Sequence, residues 1–338
     1  MASRHRPPAE PSAPAARGAA PDAGTRRRRL VIYGNPQVPG VGAVLAELWA
    51  WAAARGMALS IADDIVALAA APPGAAAHES YPAEDGSRIM ARPDEDPLLV
   101  CLGGDGTILH AVRHFWPFRG PVLGVNLGSL SFNAAIDPER VTQVVENWMA
   151  GRAAVSRRIL LQARLTRGGQ VTEQGIAVND LVVSKHADAR VIHLTMRQGE
   201  ELVSAFIGDG LIVSTPTGST AYNLSAGGPI VYPTLEAIVA TAICPHTLAS
   251  RPVVLPPAPP LTLQFVPHHG RDQATIWLDG QVAWEFRQGD EVSIGPADRP
   301  IDLLVGTDMS YFERLRSKLA WSGEMRPAGL VQEGSGAG

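Results

Sequence analysis

The chain has 338 residues, 46% of them apolar and 18% charged, with a formal charge of −4 at pH 7. That length holds two domains and a sizeable core, and the acidic balance excludes a broad nucleic-acid surface, which needs a basic face. No apolar run approaches a membrane span and no hydrophobic signal core lies near the N-terminus, so neither a membrane nor a secretory route is expected and the location read is cytoplasmic.

Residues 1–25 are rich in Pro, Ala and Gly and are expected to be disordered. Arg26–Arg29 have no apolar segment of signal type after them and read as the end of a solvated tail over residues 1–29. Leu30–Tyr33 predicts a first strand, and Val44–Arg55 an alanine-rich helix with Leu45, Leu48, Trp49 and Ala52 inward and Gly56 as its stop. Met57–Ile61 is a second strand, and residues 71–97 read as a long surface loop. Leu98–Leu102 is an unbroken apolar run, the pattern of a strand buried on both faces. It stops at Gly103-Gly104-Asp105-Gly106-Thr107, after which Ile108, Leu109, Val112 and Phe115 recur at helical spacing. Pro121–Asn126 is another strand. Asp137-Pro138-Glu139 then opens a helix with an acid at the N-cap, proline at N1 and an acid at the positive dipole end, continued by Val141, Val144, Val145, Trp148 and Met149 and closed by Gly151. Alternating strand and helix over 30–150 implies an open, mostly parallel, Rossmann-like α/β sheet.

After residue 150 the period changes. Leu160–Thr166, Gly175–Ser184, Val191–Arg197, Leu202–Ile207, Leu261–Val266, Thr275–Leu278, Val282–Phe286 and Glu291–Ile294 read as strands, with Asp279-Gly280 as a two-residue hairpin turn. A β-rich domain is therefore expected over 151–306. Ser310 and Glu313 form a capping box for a helix over 307–322 that packs back on the body, ahead of a disordered tail over 323–338.

Strand, glycine turn, helix is the geometry in which backbone N–H groups wrap a phosphate, and glycines admit the close approach and the positive φ such a turn needs. Asp105 is the anomaly, because a carboxylate in an anion cradle repels phosphate unless it accepts a proton or contacts the ligand through a metal. No Gly-Lys-Ser/Thr P-loop and no complete dinucleotide fingerprint is present. A second signal is the run from Gly208 to Pro229, where a strand leads into a loop dense in hydroxyls; Thr217, Thr220 and Ser225 with the Tyr222 ring suit a purine nucleoside. Third, Asn179-Asp180 interrupts an apolar strand, which is costly without partners and marks either a satisfied structural pair or a ligand contact.

These blocks, together with PHTLASRPVVLP at 245–256 and WLDGQ at 277–281, resemble the NAD kinase (ATP-NAD kinase) family over roughly residues 30–320. The resemblance implies transfer of the γ-phosphate of ATP to the 2′-hydroxyl of the adenosine ribose of NAD, giving NADP and ADP. It makes Asp105 the proton acceptor, and Gly103, Gly104, Gly106 and Thr107 the phosphate cradle. It assigns Asn179, Asp180, Asp209, Thr217, Thr220, Ala221, Tyr222, Ser225 and Gln281 to nucleotide binding, with His110 and Arg190 at its basic positions. NAD and ATP are the implied partners, and a homodimer or homotetramer the implied assembly. No cluster has closed metal-ligand spacing, so a divalent cation, Mg²⁺, is expected to travel with ATP. Three positions depart from the family pattern: Ser131-Phe132-Asn133 where Gly-Phe-Leu is frequent, Ile207 where a basic residue is common, and Asp180 in place of Glu. The alternatives are a lipid or sphingoid-base kinase sharing GGDGT and a non-catalytic NADP-binding relative.

Among the remaining residues, His110 and His114 have i, i+4 spacing without the Glu of a zinc motif, so His114 is expected to be solvated. His268-His269 is expected at the surface. Trp49, Trp148, Trp277, Trp284 and Trp321 are expected in the core, and Cys101 and Cys244 as buried reduced thiols.

Overall fold

The structure is a computed structural model describing residues 26–319, apart from 74–77, 84–88, 90–91, 129–130, 135, 188, 267–272 and 307–308. The expectations for residues 1–25, for His268-His269, for Trp321 and for the tail over 323–338 lie outside the described residues. The chain begins with β1 (Arg27–Gly34), α1 (Val41–Ala54), β2 (Ala58–Ala62), α2 (Asp63–Val66) and β3 (Glu79–Tyr81). Next come β4 (Glu95–Gly103), α3 (Asp105–Phe115), β5 (Val122–Asn126), α4 (Val141–Met149) and β6 (Val155–Arg158). A β-rich run follows: β7 (Leu161–Arg167), β8 (Gln170–Ala177), β9 (Asp180–Lys185), β10 (Ile192–Gln198), β11 (Glu201–Gly208) and β12 (Gly210–Ser214). A one-turn helix, α5 (Tyr222–Ser225), precedes β13 (Ile238–Ile243), β14 (Val253–Leu255), β15 (Leu261–Phe265), β16 (Gln273–Leu278), β17 (Val282–Arg287) and β18 (Glu291–Pro296). The chain closes with β19 (Ile301–Leu304) and α6 (Tyr311–Leu319).

The first sheet runs β3-β2-β1-β4-β5-β19-β6. All its pairings are parallel except that of β6 with β19. Its centre is β4, whose Leu98, Leu99, Val100, Cys101 and Leu102 are fully buried because helices cover both faces. On α1, Val41, Val44, Leu45, Leu48, Trp49 and Ala52 form the inward stripe, and Gly56 follows the helix with positive φ.

Four expectations about this half change. The tail ends earlier, because Arg27–Arg29 already belong to β1: Arg29 is only 6% exposed and its guanidinium meets Glu95, Glu79 and Ser60 at 2.7–3.1 Å. The 71–97 segment contributes the edge strand β3, held through Ser60–Ala62 of β2, and the start of β4. Asp137 makes no capping bond, since a 3₁₀ turn over Pro138–Arg140 leads into α4. Finally, β6 and β19 lie in the first sheet although they fall within the stretch 151–306, so both crossings between domains lie inside the expected boundaries.

The second half is a sandwich of two antiparallel six-stranded sheets, β11-β10-β15-β18-β7-β8 and β14-β13-β12-β9-β16-β17. Leu165, Leu194, Leu263 and Val292 of one sheet meet Val183, Val213, Ile276 and Phe286 of the other, and the Phe265 and Phe286 rings stack at 4.5 Å across the interface. The expected strand Gly175–Ser184 is two strands: Val178-Asn179 carries the chain from β8 in one sheet to β9 in the other. The polar pair thus sits at a crossing, not mid-strand. Asp279 and Gly280 both have positive φ, as a type I′ hairpin requires. Ser310 and Glu313 close the capping box on α6 reciprocally, at 2.7 and 3.2 Å. Trp277 is partly exposed on the outer face of its sheet, and Cys244 is exposed.

Candidate active site

Asp105 is the first residue of α3, at the carboxyl end of the central strand, where ligands bind in open α/β sheets. Its carboxylate is gripped by the loop after β5. Phe132 N–H donates to Oδ2 at 3.0 Å, Asn133 and Ala134 N–H donate to Oδ1 at 2.7 and 3.1 Å, and the Ser131 hydroxyl donates to Oδ1. Lys318, on α6, places Nζ 3.6 Å from Oδ2 and 4.2 Å from the centroid of the Phe132 ring. Burial pushes this carboxyl upward in pKa, but the Ser131 hydroxyl and the three N–H donors outweigh it, and the group lies below the usual carboxylate value. Asp105 is therefore ionised at neutral pH.

The glycine turn beside it is open. A Cβ at Gly103 would strike the Thr107 side chain, whereas the space over Gly104 and Gly106 holds no protein atom within 4 Å. Gly104 has an ordinary extended conformation, so the need there is room and not positive φ. Gly104, Gly106, Thr107 and His110 line a cleft of about 710 Å³ with Tyr33, Asp64 and, from the other domain, Gln281. His110 accepts from or donates to Tyr33 Oη through Nδ1 at 2.7 Å, and the rings of Tyr33, His110 and His114 cluster with one another at 5.7–6.3 Å. Burial first, then Arg113 and His114, lower its imidazole pKa, so at neutral pH it serves as a polar contact and not as a cation. His114 is half-buried edge-on to Phe115, not solvated.

Arg113, two turns along α3 from Asp105, reaches across to the sandwich. Its Nη1 meets Asp279 Oδ2 at 2.8 Å and its Nη2 donates to Gln281 Oε1. Asp279 is fully buried in its side chain and also accepts the N–H groups of Val178, Asn179 and Asp180 at 2.7–3.2 Å. One carboxylate thus ties the crossing at 178–180 to the helix that carries Asp105. The Asn179 Oδ1 is buried with no partner, and the Asp180 side chain makes no hydrogen bond among the described residues. An acceptor left without a partner beside a carboxyl at a domain junction has hydrogen-bonding capacity to spare for a ligand. Burial, and then Asp279, raise the Asp180 pKa to about 7. The folded state thus holds a proton that the unfolded chain releases near 4, so this group's contribution makes stability fall as pH rises from about 4 to about 7. In Asp180→Asn that component is absent: the drop in urea midpoint between pH 5 and pH 8 is expected to be smaller than in the wild type, and an equal drop overturns the assignment.

The hydroxyl-rich loop divides into two faces. Thr215 and Ser214 donate to Val178 and Asn179 carbonyls, Ser219 ties Pro216 to Val231, and the buried Thr217 hydroxyl accepts from Arg158 at 3.3 Å. These build the loop. Thr220 and Ala221 are half-buried, Ser225 is exposed and Tyr222 is 44% exposed, which leaves them as the open face. A Cβ at Gly218 would stand 2.1 Å from Asn179 O, a backbone atom with no freedom to retreat. Gly218→Ala is expected to push the loop off the 178–180 crossing by about 1 Å and to lower kcat/KM about 10²-fold. Steady-state kinetics together with an unchanged far-UV spectrum check this.

Asp209 and Arg190 meet elsewhere. Lys185 Nζ bridges Asp209 Oδ1 at 2.9 Å and the Arg190 carbonyl at 3.0 Å, at the far end of β9 from Asp180. That strand separates the two clusters by about 17 Å at 3.4 Å per residue. Ile207, at the family's basic position, faces an apolar recess with Phe206 and Val266. Three cations near Asp105 have no counterpart in the sequence reading: Lys318, Arg158 and Arg314. Burial pushes the Arg158 pKa down to about 10, leaving it charged. Only the spacing of Arg314 and Lys318 on one face of the terminal helix hinted at a shared role.

An α/β layer whose central strand ends at a glycine turn with a half-buried, clamped carboxylate, closed by a sandwich that supplies the opposing wall, defines a two-domain nucleotide-handling enzyme. The ATP-NAD kinase N-terminal domain matches residues 85–153, and the ATP-NAD kinase C-terminal domain residues 178–304. An NAD kinase of Geotalea daltonii is 36% identical over 296 residues, spanning 87% of this chain and 99% of the relative. An NAD kinase of Thiobacillus denitrificans is 41% identical over 227 residues, 67% and 77% of the two chains. Yeast NADH kinase complexed with NADH shares the fold with a TM-score of 0.80 at 24% identity, over 91% of each chain. An NAD kinase from Archaeoglobus fulgidus in complex with ATP does so with a TM-score of 0.65 at 21% identity, over 88% of this chain and 100% of that one. The chain belongs to the NAD kinase family.

Proposed function

We propose that this chain transfers the γ-phosphate of ATP to the 2′-hydroxyl of the adenosine ribose of NAD, releasing NADP and ADP, with Asp105 as proton acceptor. The observation that carries the reading is the ionised Asp105 carboxylate, clamped by one hydroxyl and three N–H groups beside the open glycine turn. A ribose hydroxyl is a weak nucleophile at neutral pH and needs a positioned base. A strongly hydrogen-bonded carboxylate is a weak one, and the negative charge of a triphosphate placed over Gly104 and Gly106 raises its basicity when substrates are bound. The adenosine of NAD lies between Tyr222 and the 178–180 crossing, where Asn179 Oδ1 and Asp180 take its donors. The cluster of Lys185, Arg190 and Asp209 receives the other end of the dinucleotide, and Gln281 and His110 border the phosphate chain.

Among the described residues no three His, Cys, Asp or Glu side chains converge as a cation site, while Asp64 lines the cleft. This donor set would suit Mg²⁺ that keeps its waters and arrives with the nucleotide, with Asp64 as an outer contact. When bound, it supplies neutralisation of charge on the phosphoryl oxygens. Location in the cytoplasm fits the two free cysteines, and no helix among the described residues is long and apolar enough to cross a membrane. Leu202, Leu248 and Val254, exposed on the sandwich, fit a homodimer or homotetramer, which light scattering tests.

A lipid-kinase reading leaves the hydroxyl-rich loop without a purpose, and a non-catalytic reading leaves the clamp on Asp105 without one. The decisive assay supplies NAD, ATP and Mg²⁺ and couples NADP to an NADP-specific dehydrogenase. Turnover is expected; binding of NADP without turnover supports the non-catalytic relative.

A further inference from the structure

The clamp on Asp105 has a second side. Behind the 131–134 loop lies a cavity of about 260 Å³ within the first domain, walled by the end of β5, the face of α4 and the approach to α6. Arg140, Arg152 and Arg314 line it with the amides of Asn126, Gln143 and Asn147, and Asp137 is the one acid among its described walls. Arg314 is 8% exposed, its Nη atoms reach only the carbonyls of Phe132 at 3.5 Å and Met309 at 3.0 Å, and its Nε is buried with no hydrogen-bond partner. No carboxylate lies within salt-bridge distance of it among the described residues, and only Asp105, farther off, favours its charge. A guanidinium buried on these terms is costly unless an anion completes its coordination. Arg140 lies within 3.5 Å of Gln143 Oε1 at the same wall, and Arg152 stands at the exposed mouth.

We infer that this cavity is a second anion site, separate from the NAD and ATP cleft, which takes a small dianion of the phosphate-monoester type and acts on catalysis through the 131–134 loop. The size and charge of the cavity set the class, because 260 Å³ lies just below the usual range of small-molecule pockets and suits a small anion. The coupling is structural. Ser131 and Ala134 line the cavity and also donate to Asp105, while Phe132, between them, offers its N–H to Asp105 and its carbonyl to Arg314. An anion that draws Arg314 to itself loosens that carbonyl and, with it, the donors that hold the proton acceptor. Burial lowers the Arg314 pKa and Asp105 raises it in part; an anionic occupant acts in the same direction as Asp105.

The test is calorimetric titration of 3-phosphoglycerate, and separately of inorganic phosphate, into enzyme already saturated with NAD and a non-hydrolysable ATP analogue, so that the main cleft is filled. One equivalent is expected to bind the wild type. The double variant Arg140→Ala/Arg152→Ala is expected to bind at least about tenfold more weakly, the worth of a hydrogen bond to a charged group, with unchanged kcat and KM in the absence of added anion. The same 3-phosphoglycerate is expected to change the kcat of the wild type and not of the double variant. A tighter isotherm for 3-phosphoglycerate supports an organic phosphate, and a tighter one for inorganic phosphate supports the free ion. No binding to the saturated wild type, or equal affinity in the double variant, overturns the inference. Neither result bears on the main reaction, which the coupled assay reads independently.

Discussion

Asp105→Asn is expected to form NADP roughly 10²–10⁴ times more slowly than the wild type, the usual worth of a positioned general base, while keeping its fold. The asparagine carbonyl still accepts from Asn133 and Ala134, the two N–H groups now on Oδ1. Its amide nitrogen then faces the Phe132 N–H, where Oδ2 had accepted, so one donor opposes another. That mismatch costs about 1–3 kcal/mol, which shifts the melting temperature without unfolding the loop. Lys318 loses a partner at 3.6 Å, but this long, part-exposed contact contributes little. Loss in kcat with KM values for NAD and ATP near wild type identifies Asp105 with proton transfer. A comparable loss spread over both KM values would make it a scaffold for the 131–134 loop, and wild-type turnover would remove it from the mechanism.

The half of the molecule that carries Asp105 was largely legible in the sequence because parallel strands covered on both faces read as continuous apolar runs, and Leu98–Leu102 with the stripe on α1 are of that kind. Short edge strands were not. Val155–Arg158 has a single buried residue and its partner Ile301–Leu304 lies far along the chain, so no local period reveals that they complete the first sheet. The Ile238–Ile243 run, by contrast, is apolar enough to have been found. At the site, the glycine context exposed Asp105, but the clamp around it consists mostly of backbone N–H groups, which no side-chain pattern encodes. Ser131 shows the point from the other direction. Read as a departure from Gly-Phe-Leu, it supplies the hydroxyl that the clamp uses. The hydroxyl-rich loop was recognised as a unit, yet the division into Thr215, Thr217 and Ser219 as builders and Thr220, Tyr222 and Ser225 as the open face depends on burial that composition does not record.

Asp279→Ala is expected to be the most destabilising single change at the domain junction. It removes the acceptor of three N–H groups, at Val178, Asn179 and Asp180, and the only carboxylate within salt-bridge distance of Arg113 among the described residues. Breaking a buried pair by deleting one partner typically costs about 3–5 kcal/mol, because the other charge stays buried and unpaired. Position 279 also has φ of 50°, which aspartate and asparagine tolerate and alanine does not, adding about 1–2 kcal/mol. Asp279→Asn separates these contributions, since it keeps the backbone conformation and one acceptor oxygen while losing the charge. The urea midpoint is therefore expected to fall in the order wild type, Asn, Ala. The functional consequence follows from connectivity. Arg113 sits on the helix that begins with Asp105, and the 178–180 crossing carries the orphaned Asn179 acceptor, so Asp279 holds the proposed proton acceptor and the proposed nucleotide contact in one frame. With that frame loosened, the KM for NAD of Asp279→Asn is expected to rise more than its kcat falls. An Asn variant that matches the wild type in both stability and KM would show that the two domains are registered by other contacts.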